Sequence, residues 1–138
     1  MGFFGLFGKK KEWKVLLVED DVPLRQFMAE RLLSLGIDVI ESGDGSTVID
    51  LIRKHKPNCV VLDIMLPGKS GMQVLEELRA TDKVTSVVML TTLSGEGGLK
   101  LEAAKHNAVF LNKANTALEV VIDTVLRHLD EDMVKHGK

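Results

Sequence analysis

Length, composition and charge already restrict the classes of function. The chain has 138 residues, of which 45% are hydrophobic, so it suits one buried domain and is too short for two of ordinary size. Its net charge of −2 gives no general attraction to nucleic acid, and DNA binding is not supported. No apolar run reaches the roughly 20 residues that span a bilayer. The single cysteine, Cys59, lies in an apolar run without a partner for an internal disulfide, which fits a buried side chain and a reducing cytoplasm.

Five short runs rich in Val, Ile and Leu predict buried parallel strands. In chain order they are Lys14–Val18, Ile37–Glu41, Cys59–Leu62, Val87–Leu90 and Val109–Leu111. The segments between them carry apolar residues at three- and four-residue spacing, which predicts a helix after each strand. This alternation, with right-handed crossovers, predicts an α/β fold: a doubly wound, five-stranded parallel sheet with five helices. Ligands of such folds bind beyond the carboxyl ends of the strands.

The predicted helices differ in how well the sequence defines them. The first is clear, because it has Pro23 in its first turn, an apolar stripe that includes Phe27 and Met28, and a stop signal at Gly36. The fourth, over residues 97–107, is poorly defined because glycines crowd its start. The glycine-rich loop there is either a bistable element or an ordinary flexible loop.

Polar side chains follow four of the five predicted strands. Glu19 and Asp20 follow the first strand, Asp63 the third, Thr91 the fourth and Lys113 the fifth. Taken singly, each has an ordinary explanation as a turn, cap, strand or surface residue. Their joint occurrence is hard to obtain by chance. Carboxylates gathered beside a hydroxyl at one sheet edge suit a divalent cation and a phosphoryl group.

This set, in this order, resembles the receiver domain of bacterial two-component response regulators. The resemblance covers residues 13–131 and leaves an apolar and basic N-terminal tail, 1–12, and a C-terminal tail, 132–138. The motifs that carry it are Val18-Glu19-Asp20-Asp21, the loop Leu62–Met72, Met89–Thr92 and Asn112-Lys113-Ala114. It implies a flavodoxin-like fold with strand order 2-1-3-4-5. One departure is Ala114: the family usually has Lys-Pro with a cis peptide there, and a cis bond is not expected before alanine.

The resemblance implies a phosphorylation site that depends on a metal ion. Asp63 matches the phosphoacceptor of the family. Its phosphorylation brings more negative charge into an acidic pocket, so a cation must offset it. Mg²⁺ is the natural choice because it is hard, keeps several waters and binds through few carboxylates. The implied metal ligands are Glu19, Asp20, Asp63 and the backbone carbonyl of Met65.

Three residues near the other strand ends have implied roles in binding and in readout. Lys113 would pair with Asp63 and then with a phosphoryl oxygen, and the Thr91 hydroxyl would donate to another phosphoryl oxygen. Thr91 and Phe110 match the family's switch pair, in which the aromatic residue rotates inward after phosphorylation. Phe110 is explained equally well as a core phenylalanine.

The implied function is that of a single-domain response regulator, because no residues remain for a covalent effector domain. A sensor histidine kinase or a histidine phosphotransfer protein would supply the phosphoryl group, and the phosphorylated domain would signal by binding a downstream protein. It is not expected to be an enzyme beyond promoting its own phosphorylation and dephosphorylation. Two alternatives stay open: a phosphorelay intermediate that passes phosphate to a histidine phosphotransfer protein, and a localised scaffold indifferent to phosphate.

The first eleven residues are unusual in composition. Phe3, Phe4 and Phe7 precede Lys9–Lys11, which is consistent with apolar groups inserted into a membrane surface and lysines at anionic headgroups. A tail folded back on its own domain explains the same residues, because the glycines among them disfavour a helix. The single cysteine and the lack of a long apolar run predict a cytoplasmic protein. Peripheral membrane contact through residues 3–11 is an open alternative.

Other sites receive little support from the sequence. Val48 occupies the third glycine position of a dinucleotide fingerprint that would begin at Gly43, so NAD or FAD binding is not expected. The histidines show no metal-ligand spacing and are expected to be solvated or partly packed. They are His55, His106, His128 and His136.

Overall fold

The predicted strands form one parallel sheet in the order β2-β1-β3-β4-β5. A computed structural model describes residues 12–92 and 97–135 of the chain. The strands are β1 Lys14–Val18, β2 Asp38–Ser42, β3 Cys59–Asp63, β4 Ser86–Thr91 and β5 Val109–Asn112. The flavodoxin-like order predicted from the sequence is confirmed, and each strand end lies within one residue of its predicted place.

Within the described ranges, five α-helices alternate with these strands. They are α1 Val22–Ser34, α2 Val48–His55, α3 Gly71–Thr81, α4 Gly97–Lys105 and α5 Leu118–Lys135, and a 3-10 turn at Gly45–Thr47 precedes α2. Pro23 lies in the first turn of α1, where its missing N–H has no intrahelical partner to lose. The last helix continues to Lys135, four residues past the predicted domain boundary at Glu131. The described residues contain no cis peptide bond, so the bond between Lys113 and Ala114 is trans, as expected.

The sheet separates two apolar layers, because successive strand residues point to opposite faces. One layer packs α1 and α5 against strand residues such as Leu17, Val61 and Leu90. The other packs α2, α3 and α4 against residues such as Leu16 and Leu62. Helices on both faces bury the three central strands, and this leaves the carboxyl edge of the sheet as the place for polar chemistry. Cys59 is fully buried, as predicted.

The apolar stripe predicted for α1 is wrong at one position. Phe27 is 58% exposed, whereas Met28, Ala29 and Leu32 are buried. Each helical residue advances about 100° around the axis, so the turn that directs Met28 and Leu32 at the sheet directs Phe27 toward solvent.

Several sequence predictions lie outside the described residues. These are the apolar and basic segment at residues 3–11, the glycine-rich loop around residue 95 and the end of the C-terminal tail. In the ranges that are described, no helix is both long enough and apolar enough to cross a membrane.

Candidate functional site

The carboxyl edge of the sheet brings together the polar residues that the sequence placed at strand ends. Asp63 is the last residue of β3 and lies in register with Leu90, so it is one step from the end of β4 at Thr91. Thr91 in turn lies beside Asn112, the residue before Lys113. Glu19 follows β1, which pairs with β3 on its other side. Four strand ends therefore converge on one point.

Lys113 joins two buried carboxylates at the centre of this site. Its ammonium Nζ lies 2.7 Å from Glu19 Oε1 and 3.0 Å from Asp63 Oδ2. The side chains of Lys113, Glu19 and Asp63 are 16%, 1% and 5% exposed. The backbone N–H of Lys113 donates to the carbonyl oxygen of Thr91 at 2.7 Å, which fixes the start of the loop after β5. The pairing with Asp63 was expected, and the shorter contact with Glu19 was not.

The electrostatics of the site follow from burial and from this shared cation. Burial raises the pKa of Glu19 above its usual value, because the hydrogen bond from Lys113 only partly offsets the loss of solvation. The negative charge of nearby Asp63 raises this pKa further. Burial also acts to lower the pKa of Lys113, but its hydrogen bonds to Glu19 and Asp63 outweigh that effect and raise it. The ammonium is therefore held in its charged form between the carboxylates.

The loop between β1 and α1 is fixed by hydrogen bonds at both ends. Asp21 caps α1 through a bond from the Leu24 N–H to its Oδ1 at 3.1 Å, and the Asp21 N–H donates to Glu19 Oε2 at 3.1 Å. The guanidinium of Arg25 donates to the carbonyl oxygen of Glu19 at 2.7 Å and to Glu41 Oε1 at 3.0 Å. Arg25 thus positions the main chain that carries the acidic pair. Sequence reasoning missed it, because no local pattern links residues that lie sixteen positions apart.

The loop after β3 is closed tightly around Asp63. The Met65 N–H donates to Asp63 Oδ1 at 3.1 Å, and the Gly71 N–H donates to the carbonyl oxygen of Ile64 at 2.8 Å. A Cβ atom at Gly71 would overlap with the carbonyl oxygen of Asp63, so only glycine permits this approach. Ser70 then starts α3 with a capping box. The close packing around the loop therefore explains why the motif has glycine at residue 71. The side chain of Met65 is 57% exposed and points outward.

The donor set at this edge fits a hard divalent cation. Glu19, Asp20 and Asp63 each offer a carboxylate oxygen, and these three atoms lie within 4.8 Å of one another. Asp20 is exposed while the other two residues are buried, so the site opens on one side. The Lys113 ammonium contacts two of these three carboxylates, so its one positive charge leaves the cluster with excess negative charge for a cation to neutralise. All-oxygen ligands with room for water are what Mg²⁺ requires.

The two residues implied in switching occupy different environments. Thr91 is fully buried. Phe110 is partly buried, lies in register with Met89 and packs against the apolar layer that contains α2, α3 and α4. This packing accounts for Phe110 as a core residue, and its switching role stays a prediction.

Comparison with known proteins identifies the family. A model of the response regulator receiver domain matches residues 15–124 of the chain. The chain belongs to the response regulator receiver domain family. Receiver domains are phosphorylated on an aspartate in two-component signalling, and they are signalling modules rather than classical enzymes. They interact with histidine kinases or phosphotransfer proteins and bind Mg²⁺ at an acidic pocket.

Individual relatives agree with this receiver assignment. The chain is 34% identical over 122 residues to a probable transcriptional regulator, ycf27, of Porphyridium aerugineum; the match covers 86% of this chain and 50% of that protein. The chain thus spans about half the length of this curated relative.

Solved receiver domains superpose closely on the chain. The signal receiver domain of a putative LuxO repressor from Vibrio parahaemolyticus has a TM-score of 0.83 and 28% identity, covering 91% of this chain and 96% of that one. The BeF3-activated receiver domain of Klebsiella pneumoniae RstA has a TM-score of 0.75 and 32% identity, covering 84% and 97%. A CheY-like receiver from Methanospirillum hungatei, 18% identical, shares the fold with a TM-score of 0.83 over 91% of this chain and 99% of its own.

Proposed function

We propose that this receiver domain accepts a phosphoryl group on Asp63 in a Mg²⁺-dependent reaction and signals by phosphorylation-dependent protein binding. The observation that carries the proposal is the position of Asp63. Its carboxylate is buried at the end of β3 and forms an ion pair with the Lys113 ammonium at 3.0 Å. It also belongs to a cluster of three carboxylates with Glu19 and Asp20.

The two oxygens of Asp63 have different partners, which suits them to different tasks. Oδ1 accepts from the Met65 N–H, and Oδ2 accepts from Lys113. In the proposed reaction, one of these oxygens forms a bond to phosphorus while the P–N bond of a phosphohistidine breaks, so the product is an acyl phosphate and a free imidazole. Lys113 then bonds a phosphoryl oxygen, and the Thr91 hydroxyl donates to another.

The proposed metal ligands are Glu19, Asp20, Asp63 and the backbone carbonyl of Met65. When bound, Mg²⁺ supplies the positive charge that offsets the incoming phosphoryl group and fixes the orientation of its oxygens. Glu19 contributes a second function, because its other contact is with Lys113 at 2.7 Å. It therefore restrains the ammonium beside Asp63 when no phosphoryl group is present.

Readout is proposed to pass through Thr91 and Phe110 to a protein partner that remains to be identified. A histidine kinase or a histidine phosphotransfer protein is the proposed donor. The domain limits of 13–131 and a cytoplasmic location remain predictions. The relay and scaffold alternatives differ from this proposal in testable ways, since a relay returns phosphate to a histidine and a scaffold binds its partner equally without phosphate.

Labelling with acetyl phosphate tests the proposed function. Intact-protein mass spectrometry should show one added phosphoryl group on the parent chain with Mg²⁺ and none after chelation. Asp63→Asn should remain unlabelled while its circular dichroism spectrum matches that of the parent. Equal labelling of Asp63→Asn, or full labelling without a divalent cation, would contradict the proposal.

A further inference from the structure

A second group of side chains that could hold a metal ion is formed by α3 and the end of α4. Glu76 belongs to α3, Glu102 belongs to α4, and His106 directly follows α4. One ligand atom from each lies within 4.8 Å of the other two. None of the three belongs to the phosphorylation site. Spacing among histidines does not reveal this group, because the partners of His106 are glutamates.

The chemistry of this group differs from that of the acidic pocket. An imidazole with two carboxylates is a nitrogen and oxygen donor set of the kind that holds transition metals such as Zn²⁺, while Mg²⁺ prefers oxygen alone. Glu102 and His106 are four residues apart, so they project from the same side of the helical segment. Glu76 approaches from a different helix, which makes the group a cross-link between two elements.

The separation of His106 and Glu102 suits a shared metal better than a direct hydrogen bond. His106 Nε2 lies 3.4 Å from Glu102 Oε2. Hydrogen bonds between nitrogen and oxygen are usually about 2.7–3.2 Å long. Two ligands of a tetrahedral zinc ion with bonds of about 2.0–2.1 Å are separated by roughly 3.4 Å. The other oxygen of Glu102 lies 3.9 Å from the ammonium of Lys105, so Oε2 is the oxygen turned toward the imidazole.

A buried arginine fixes the two halves of this group relative to each other. Arg79 lies one turn after Glu76 on α3 and is only 6% exposed. Its Nε donates to the carbonyl oxygen of His106 at 2.7 Å, and its Nη2 donates to that of Asn107 at 3.3 Å. The helix that supplies one glutamate therefore also holds the main chain of the histidine. Because the ligands are already restrained, less conformational entropy is lost when a metal orders them.

We propose that Glu76, Glu102 and His106 form a binding site for a divalent transition metal of the Zn²⁺ class, with water in the fourth position. The metal ties α4 to α3 and stabilises the packing of α4 on the sheet. The site is independent of phosphorylation at Asp63, so either proposal can fail without the other.

Titration of the whole chain with Zn²⁺ in excess Mg²⁺ tests this site, because Mg²⁺ occupies the acidic pocket. Calorimetry should show Zn²⁺ binding to the parent chain that is weakened at least about tenfold in both Glu76→Gln and His106→Gln, given that even outer-shell changes cost about 10–100-fold. Glu76 is exposed, so its substitution leaves folding intact. His55→Gln is the matched control and should bind Zn²⁺ as the parent does. Co²⁺ in place of Zn²⁺ should give the visible absorption of a tetrahedral site in the parent and lose it in both variants.

The outcomes separate cleanly. Loss of affinity in both variants, with retention in the His55→Gln control, supports the site. Parent-like Zn²⁺ affinity in Glu76→Gln and His106→Gln would overturn it, as would equal loss in the His55→Gln control. Circular dichroism without metal establishes that each variant is folded before the titrations are compared.

Discussion

Lys113 lies closer to Glu19 than to Asp63. Its ammonium is 2.7 Å from the Glu19 carboxylate and 3.0 Å from that of Asp63, and both carboxylates are buried. One cation thus compensates two acidic residues, one directly after β1 and one at the end of β3. The arrangement places the ammonium where a phosphoryl oxygen on Asp63 would need it in the proposed reaction.

Lys113→Met should destabilise the domain strongly in the absence of divalent cations. It leaves Glu19 and Asp63 buried without their shared cation, and removing one partner of a buried ion pair costs roughly 3–5 kcal/mol. Urea unfolding at neutral pH measures this loss. Lys54→Met removes an exposed lysine and is the control, with an expected change of less than about 0.5 kcal/mol. Adding Glu19→Gln to Lys113→Met should restore part of the stability. Equal unfolding midpoints for the Lys113 and Lys54 variants would contradict the pairing.

Asp20→Asn should weaken Mg²⁺ binding without harming the fold. The substitution removes one charge from the cluster with Glu19 and Asp63, so the metal loses attraction, and the chain without metal is unchanged or more stable because carboxylate repulsion falls. Thermal melts with and without Mg²⁺ report both effects. Asp38→Asn, an exposed change at the opposite end of the sheet, should keep the full Mg²⁺ response. If Asp20→Asn gains as much from Mg²⁺ as the parent does, Asp20 is not a ligand.

Gly71→Ala and Gly98→Ala should have opposite outcomes. A Cβ at residue 71 overlaps with the Asp63 carbonyl, whereas nothing lies within 4 Å of one at residue 98, in α4. We expect Gly71→Ala to cost roughly 1–3 kcal/mol through overpacking and to slow acetyl phosphate labelling by displacing Asp63. Gly98→Ala should be neutral or stabilising by up to about 1 kcal/mol, because alanine favours the helix. Chemical unfolding of both variants checks the contrast, and equal costs would mean that the close approach at Gly71 is not real.

Asp82 should make the stability of the domain depend on pH in the acidic range. Burial acts to raise its pKa, but hydrogen bonds from Thr85 and Val84 and the charge of Arg79 outweigh burial and place the pKa below the usual 3.8. The folded chain therefore binds this proton less tightly than the unfolded chain. The contribution of Asp82 to the free energy of unfolding is present above pH 3.8 and is lost as the pH falls through the lowered pKa.

Asp82→Asn should accordingly lower the free energy of unfolding at neutral pH, and its difference from the parent should shrink below pH 3.8. Urea unfolding across this range provides the measurement, and Asp38→Asn is again the exposed control. A difference between parent and Asp82→Asn that stays constant across the range would show that the carboxylate does not titrate with a lowered pKa.

The sheet and the meeting of polar residues at its carboxyl edge could be predicted, because both follow from local sequence patterns. Apolar runs define the strands, and the polar residues directly after them must meet at one edge once the strands are parallel. The placement of Asp63, Thr91 and Lys113 at this edge could therefore be predicted without knowledge of side-chain geometry.

Contacts between distant residues could not be predicted in this way. Glu19 and Lys113 are 94 positions apart, and which carboxylate the ammonium approaches more closely depends on loop geometry rather than on residue type. The same limit applies to the hydrogen bond between Arg25 and Glu41, which are sixteen positions apart. Phe27 was misplaced because a rotation of about 100° per residue separates a core position from an exposed one, and an apolar side chain alone does not distinguish them.

Chemical trapping of the phosphorylated residue tests the acceptor assignment most directly. Borohydride reduces an acyl phosphate to an alcohol, so an aspartyl phosphate becomes homoserine and can be located by peptide mass spectrometry. After acetyl phosphate and Mg²⁺ treatment of the parent chain, homoserine should be found at residue 63 and at no other aspartate. Homoserine at Asp20 or Asp21 instead, or phosphate retained on a histidine with residue 63 unchanged, would contradict the assignment of Asp63 as the acceptor.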